Sequence, residues 1–302
     1  MNFSIWGMSG SLTTQHPESL AFAEQRLWHW IDAVDATCNR FRRDSEISRL
    51  NAHSGETVVI SETLELALEA ALTCAALTDG LCDPTVLPAL LALGYDRDYD
   101  ELVAHGARSP ASPQPAPGVS AIHLDRSQHR VSLDPGCQID LGASAKALVA
   151  DRVADEVAVH GGVVVEIGGD VAARGASNDG PWVIAVSDSL DITGREPRIA
   201  VGDVGVATSS LSTRTWRAGE TIANHVIDPR TGSFAEGPYA AATVSANSCV
   251  TANAFATAAL LWGEDAGYHI AQSGWSARLV RHDGSVEFVG GWPPDGGGAW
   301  LP

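Results

Sequence analysis

The sequence predicts an α+β fold. Segments of helical and strand period follow one another without the strict alternation that a doubly wound parallel sheet requires, and no internal repeat interrupts them. With 302 residues and 45% hydrophobic content, the chain can build a substantial core, as one large domain or two closely joined subdomains. Its thirty glycines and fifteen prolines are dispersed between periodic segments, so they mark turns and not a low-complexity tract.

A short N-terminal strand precedes a helix over 18–38, where Leu20, Ala23, Leu27, Ile31 and Val34 recur at helical spacing behind Pro17. A second helix is predicted over 61–79, with Ser61 as N-cap and Gly80 as the stop. The stretch 108–118 is rich in Pro, Ser and Ala and reads as a flexible linker or exposed loop. Residues 120–133 alternate like two paired strands, and 137–141 reads as a short strand entering Gly142, with a helix starting near Ser144. Strands are predicted over 163–167, 182–186 and 198–207, and a helix with a small-residue face (Ala252, Ala256, Ala259) over 251–262.

Nineteen Lys and Arg against thirty-seven Asp and Glu give a formal charge of -18, which excludes the basic surface that phosphate backbones need. An anionic ligand would require local help from a helix N-terminus, a placed lysine or a divalent cation. The five cysteines (Cys38, Cys74, Cys82, Cys137, Cys249) are odd in number, widely spaced and lack a C-x-x-C pair, so they are expected as buried thiols. No basic-then-apolar leader and no stretch long enough to span a bilayer is present, and a cytoplasmic location is the expectation. The serine-hydrolase G-x-S-x-G and zincin H-E-x-x-H patterns are absent.

The most telling segment runs from Asn224 to Gly232. It puts His225, Asp228 and Arg230 between β-branched Val226 and Ile227 and the turn-forming Pro229, Thr231 and Gly232. Such a polar cluster at a strand end is either a ligand site or a hairpin with a satisfied histidine. Asp140 to Lys146 reads as strand, small-residue turn and helix start, a geometry that offers backbone N–H groups to an anion, or an ordinary turn with a surface lysine. Gly168 and Gly169 end a strand before Asp170, which could accept hydrogen bonds from a ligand or simply close a turn. Asn253 and Thr257 lie one helical turn apart, with Thr251 nearby. Their oxygens could hold a hard cation such as Mg²⁺ or make plain helix contacts. Cys38 to Asn51 concentrates Arg40, Arg42, Arg43 and Arg49, as a solvated loop or a lip over an anionic ligand.

In their order, these segments resemble the ApbE family of FAD:protein FMN transferases over nearly the whole chain. The likeness rests on Cys38 to Asn51, on Gly80-Leu81-Cys82-Asp83-Pro84-Thr85 followed by Leu93-Gly94-Tyr95-Asp96, on Ile139 to Lys146, on Ile167 to Asp170, on Ala207 to Ser210, and on His225 to Gly232. The resemblance implies a two-lobed fold with mixed or antiparallel sheets packed by helices, FAD in a cleft between the lobes and Mg²⁺ near its diphosphate. It implies transfer of FMN from FAD to a Thr or Ser hydroxyl of an acceptor flavoprotein, with AMP leaving.

By position, the resemblance assigns the metal to the Ala145 carbonyl, Thr257 and Asn253. Asn253 stands where many members carry a metal-binding Asp, so metal affinity should fall unless Asp140 or Asp228 compensates. Ala147 departs from the usual Gly after the lysine. Lys146 would neutralise phosphate charge, His225 would act as base, and Asp228 would orient it. Arg214 or Arg230 would hold phosphate oxygens, while Arg42, Ser45, Glu46, Asp83 and Thr85 would shape the adenosine or flavin side. Gly142, Ala143, Ser144, Gly168, Gly169, Asp170, Thr208, Ser209 and Thr231 complete the expected FAD contacts. Two rival readings use the same site: a Mg²⁺-dependent FAD pyrophosphatase, and an FAD-binding protein with weakened catalysis.

Overall fold

The computed structural model describes residues 1–107, 111–187, 194–295 and 300–301. In chain order its elements are β1 (Asn2–Ile5), β2 (Met8–Thr14), α1 (Leu20–Cys38), α2 (Glu46–Ala52), β3 (Thr57–Val59), α3 (Glu62–Leu77), α4 (Leu87–Ala92), α5 (Tyr99–His105), β4 (Ile122–Asp125), β5 (Arg130–Leu133), α6 (Ala145–Val157), β6 (Val163–Ile167), β7 (Asp170–Arg174), β8 (Trp182–Ala185), β9 (Arg198–Val201), β10 (Val204–Ser210), β11 (Thr215–Ala218), β12 (Thr221–Asn224), β13 (Tyr239–Ala246), α7 (Cys249–Trp262), α8 (Ala266–Gln272), β14 (Ser276–Arg281), β15 (Val286–Val289) and β16 (Trp300–Leu301). The fold is α+β, and among the described residues no helix is long and apolar enough to cross a membrane.

The chain forms two compact units. The first comprises Met1–Trp30, Lys146–Thr213 and Glu236–Pro302, and the second Ile31–Ala145 and Arg214–Ala235. The first is built on an eight-stranded sheet in the order β1-β2-β6-β7-β10-β13-β14-β15, with every neighbouring pair antiparallel. Helix α7 packs on β10 and β13 and is buried along nearly its whole length. It can lie this close because Gly205 on β10 has no side chain: a Cβ there would fall 2.0 Å from the Cys249 nitrogen. The apolar helix still has its first amides satisfied. Ser248 caps Thr251, and the buried Asp151 on α6 accepts from the N–H groups of Cys249 and Val250 at 2.9 and 3.0 Å. Burial pushes the Asp151 carboxyl up despite these bonds and the nearby Arg174.

The second unit carries a β3-β5-β4 sheet, the β11-β12 hairpin and a core of Leu87, Leu90, Leu93, Tyr95, Trp216 and Ile227. Trp216 is placed by its indole N–H, which donates to the Leu93 carbonyl at 2.8 Å. Capping follows the sequence closely here: the Ser61 hydroxyl accepts from the Leu64 N–H at the start of α3, and Gly80 closes it in a left-handed conformation.

Two expectations change. Residues 137–141 are extended but form no strand, because Ile139 is paired by the Asn51 side chain and the Asp140 N–H by the Pro84 carbonyl. The run 198–207 is two strands in different sheets, β9 and β10, separated at Gly202 and Asp203. Residues 108–110 of the Pro-rich stretch lie outside the described residues. Residues 111–118 form the largely exposed loop expected of this stretch, tied at two points: Ala116 donates to the Pro229 carbonyl at 2.8 Å, and Gly118 to the Thr85 hydroxyl at 3.0 Å. All five cysteines are free thiols and buried.

Candidate functional site

In the first unit, β6 and β7 are joined by Gly168 and Gly169, both with positive φ (61° and 91°), and the register pairs Ile167 with Asp170 across this two-residue turn. That is the primed hairpin geometry, and it is why two glycines stand here. The turn delivers Asp170 to the first position of β7, beside Ala207 of β10. Helix α7 brings Asn253 over the same place: its Nδ2 donates to Asp170 Oδ1 at 3.1 Å. Lys146, in the first turn of α6, places Nζ 3.1 Å from Asp170 Oδ2. One turn along α7, the Thr257 hydroxyl lies 3.2 Å from that of Ser209, and Thr208 meets Thr243 at 2.9 Å.

The energetics of this group are unbalanced. Asp170 is 1% and Asn253 5% exposed, yet Asp170 Oδ2 and Asn253 Oδ1 receive no hydrogen bond. Lys146 faces Asp170 Oδ2 as a charge and not as an aligned donor. Asn253 Oδ1 costs about 1–3 kcal/mol unless something fills its lone pairs, whereas the Lys146 charge offsets the burial of Asp170 Oδ2. Among the described residues no three His, Cys, Asp or Glu side chains gather as a metal centre. A cation here would meet the Asp170 carboxylate, the Asn253 and Thr257 oxygens and its own waters, the ligand set of Mg²⁺ and not of zinc.

In the second unit, the backbone around His225 is fixed by a clasp. The buried Asn224 accepts from the Val226 N–H and donates to the Ala235 carbonyl, each at 3.0 Å, while Ala235 N–H reaches the Val226 carbonyl at 2.8 Å. His225, half-buried, projects from between these ties. Asp228 does not orient it. Both its oxygens go to Arg230, with Nη2 at 2.7 Å and Nε at 2.9 Å, and one also accepts the Arg230 N–H. Burial raises the Asp228 carboxyl, but these bonds outweigh it and hold the group below the ordinary range. Thr231 accepts the Ser233 N–H within the same turn.

The expected row of open amides before α6 is closed at three positions. Asp140 Oδ1 takes the Gly142 N–H at 2.7 Å, an Asx turn, and the Leu141 carbonyl takes those of Ser144 and Ala145. Ala143 lies in this turn and Ala145 opens α6. Asp140 is also paired through Oδ2 with Arg40 Nε at 2.5 Å, and the Arg40 guanidinium sits over the Phe41 and Tyr95 rings. Arg214 reaches the Tyr95 hydroxyl at 3.3 Å.

The remaining expected contacts are heavily engaged inside the protein. Arg42 pairs with Asp35 and Asp44, Ser45 caps α2, and Glu46 accepts the Ser61 N–H that starts α3. Asp83 accepts both the N–H and the hydroxyl of fully buried Thr85 at 2.7 Å, and burial pushes its carboxyl up. Three functional ties escaped the sequence reading: Asp170 to Asn253, Asp151 to the start of α7, and Asn51 to Ile139. All three are long-range polar pairs that no periodicity announces.

A model of the ApbE family matches residues 6–279. The FAD:protein FMN transferase of Vibrio cholerae is 30% identical over 249 residues, spanning 80% of this chain and 74% of that protein. The Haemophilus influenzae protein of the same name is 28% identical over 249 residues, spanning 79% and 72%. Among solved structures, the ApbE protein of Thermotoga maritima matches with a TM-score of 0.82 at 25% identity, over 96% of both chains. The flavin transferase ApbE of Vibrio cholerae matches at 0.75 and 25% identity, over 98% of both.

Proposed function

Since the chain belongs to the ApbE family, we propose that it transfers the FMN half of FAD to a Thr or Ser hydroxyl of an acceptor flavoprotein, with release of AMP. In this reaction the acceptor oxygen bonds to the flavin-side phosphorus, the bond from that phosphorus to the bridging oxygen breaks, and AMP carries the bridging oxygen away. The hydroxyl proton passes to His225, whose neutral imidazole is a competent base near neutral pH. Lys146 supplies a compact positive charge to phosphate oxygens, in a chain whose overall charge repels them. Arg214 and Arg230 are the further phosphate-binding candidates.

The observation that carries this reading is the group of half-buried Lys146 with buried Asp170 and Asn253, a polar cluster left incompletely satisfied on a family-matched sheet. Its oxygens fit Mg²⁺: Asn253 Oδ1 lacks a donor, and Thr257 Oγ1 retains a lone pair beside its Ser209 contact. When bound, the cation neutralises charge on the diphosphate.

The test is incubation with FAD, Mg²⁺ and a flavin-acceptor domain. A mass gain of one FMN on the acceptor, matched by AMP, supports transfer. Free FMN with AMP and an unmodified acceptor would assign hydrolysis instead. Intact bound FAD would assign a binding protein.

A further inference from the structure

We infer that the negatively charged ligand for a divalent cation in this chain is Asp170, brought by the β6-β7 hairpin, with Asn253 as its neutral partner on α7. This deepens the transferase reading and rests on it. The two side chains are hydrogen-bonded through Asn253 Nδ2 and Asp170 Oδ1. That bond fixes the amide, so its Oδ1 is the atom left without a donor, and the carboxylate's other oxygen, Oδ2, likewise receives none. The bonded pair thus leaves Asn253 Oδ1 without a donor and Asp170 Oδ2 with an ion pair but no hydrogen bond, on residues more than nine-tenths buried.

The other carboxylates that might supply this charge are committed. Asp140 is held by Arg40 and the Gly142 N–H, and Asp228 by Arg230. Asp170 Oδ2 is instead ion-paired with the Lys146 ammonium, a point charge on a four-carbon stem, which a bound cation would displace toward an anionic ligand. The charge that a cation requires is therefore present, but it comes from the sheet and not from the helix.

The experiment is an electron paramagnetic resonance titration with Mn²⁺, a paramagnetic stand-in for Mg²⁺, on the full chain with and without FAD. Four proteins are compared: wild type, Asp170→Asn, Asn253→Asp and the double exchange. Asp170→Asn should weaken Mn²⁺ by about tenfold or more, and the double exchange should return it to within about threefold of wild type, because a carboxylate is again present in the pair. FAD affinity without metal, read by flavin fluorescence, is measured in all four as the separate report on the flavin site.

Wild-type affinity in Asp170→Asn overturns the inference. So does a folded double exchange that fails to recover Mn²⁺, which keeps the test decisive even if Asp170→Asn alone is unstable. Wild type that binds FAD but no Mn²⁺ also overturns it while leaving the flavin reading intact. Wild type that binds Mn²⁺ in this manner but no FAD overturns the flavin reading alone.

Discussion

The side chain of Asn51 brackets the main chain of Ile139: Nδ2 donates to the Ile139 carbonyl at 2.9 Å, and Oδ1 accepts the Ile139 N–H at 2.8 Å. One amide thus replaces a neighbouring strand and holds the segment that leads into Asp140 and α6. Asn51→Ala leaves both backbone groups buried without partners and should cost about 1–3 kcal/mol. Chemical denaturation measures it, and a midpoint equal to wild type would show that water replaces the amide.

Gly205→Ala should be more damaging. Its new methyl would fall 2.0 Å from the Cys249 nitrogen and 2.1 Å from the Ser248 carbonyl carbon, both backbone atoms that cannot rotate away. A loss of about 3 kcal/mol is expected as α7 lifts from β10. Because α7 carries Asn253, the same variant should lose Mn²⁺ affinity, and a variant with native melting and native Mn²⁺ binding would refute the packing argument.

His225→Ala should lower turnover by about 100-fold or more while leaving FAD affinity unchanged, since a base contributes to the transition state and not to ground-state binding. Turnover equal to wild type would remove His225 from the mechanism.

The Asp228–Arg230 pair predicts an acid-side stability term. The folded carboxyl titrates below its ordinary value, because Arg230 outweighs the opposing effect of burial. The folded state therefore binds its proton less readily than the unfolded chain. The gain is present above the ordinary aspartate value of about 3.9 and is lost as pH falls through the lower folded value. Arg230→Ala should thus melt lower than wild type near neutral pH, with the difference shrinking on acidification. A difference that grows in acid would reverse the assignment.

Asn253→Asp alone sets a second carboxylate against Asp170 where a hydrogen bond now holds them together. Without a cation the protein should melt lower than wild type, and added Mg²⁺ should raise the melting temperature more steeply than in wild type. Equal Mg²⁺ responses would show that residue 253 does not face the ion.

Much of this architecture was legible because local chemistry and long-range packing agree. Ser61 and Gly80 bound α3 where a cap and a left-handed stop belong, and the valines of 163–167 form a central strand. The strands β13 to β15 were not legible: β13 reads Tyr-Ala-Ala-Ala-Thr-Val-Ser-Ala, and its burial on both faces erases any alternation. The 137–141 segment has strand-like residues, but its partner is a side chain. At the site, residue types were readable and their partners were not. Asp228 sits three positions from His225 yet turns to Arg230, whereas Asp170 and Asn253, 83 positions apart, hydrogen-bond to each other.

Lys146 is the only lysine in the chain; every other basic residue among the nineteen is arginine. Arginine keeps its charge under all ordinary conditions, so the ammonium beside Asp170 is the single basic side chain whose charge an acylating reagent can erase. Among the lysine and arginine side chains, such reagents would address this amine alone. Occupancy of the site beside Asp170 can then be followed as protection of one peptide, without a label, a substitution or a known acceptor.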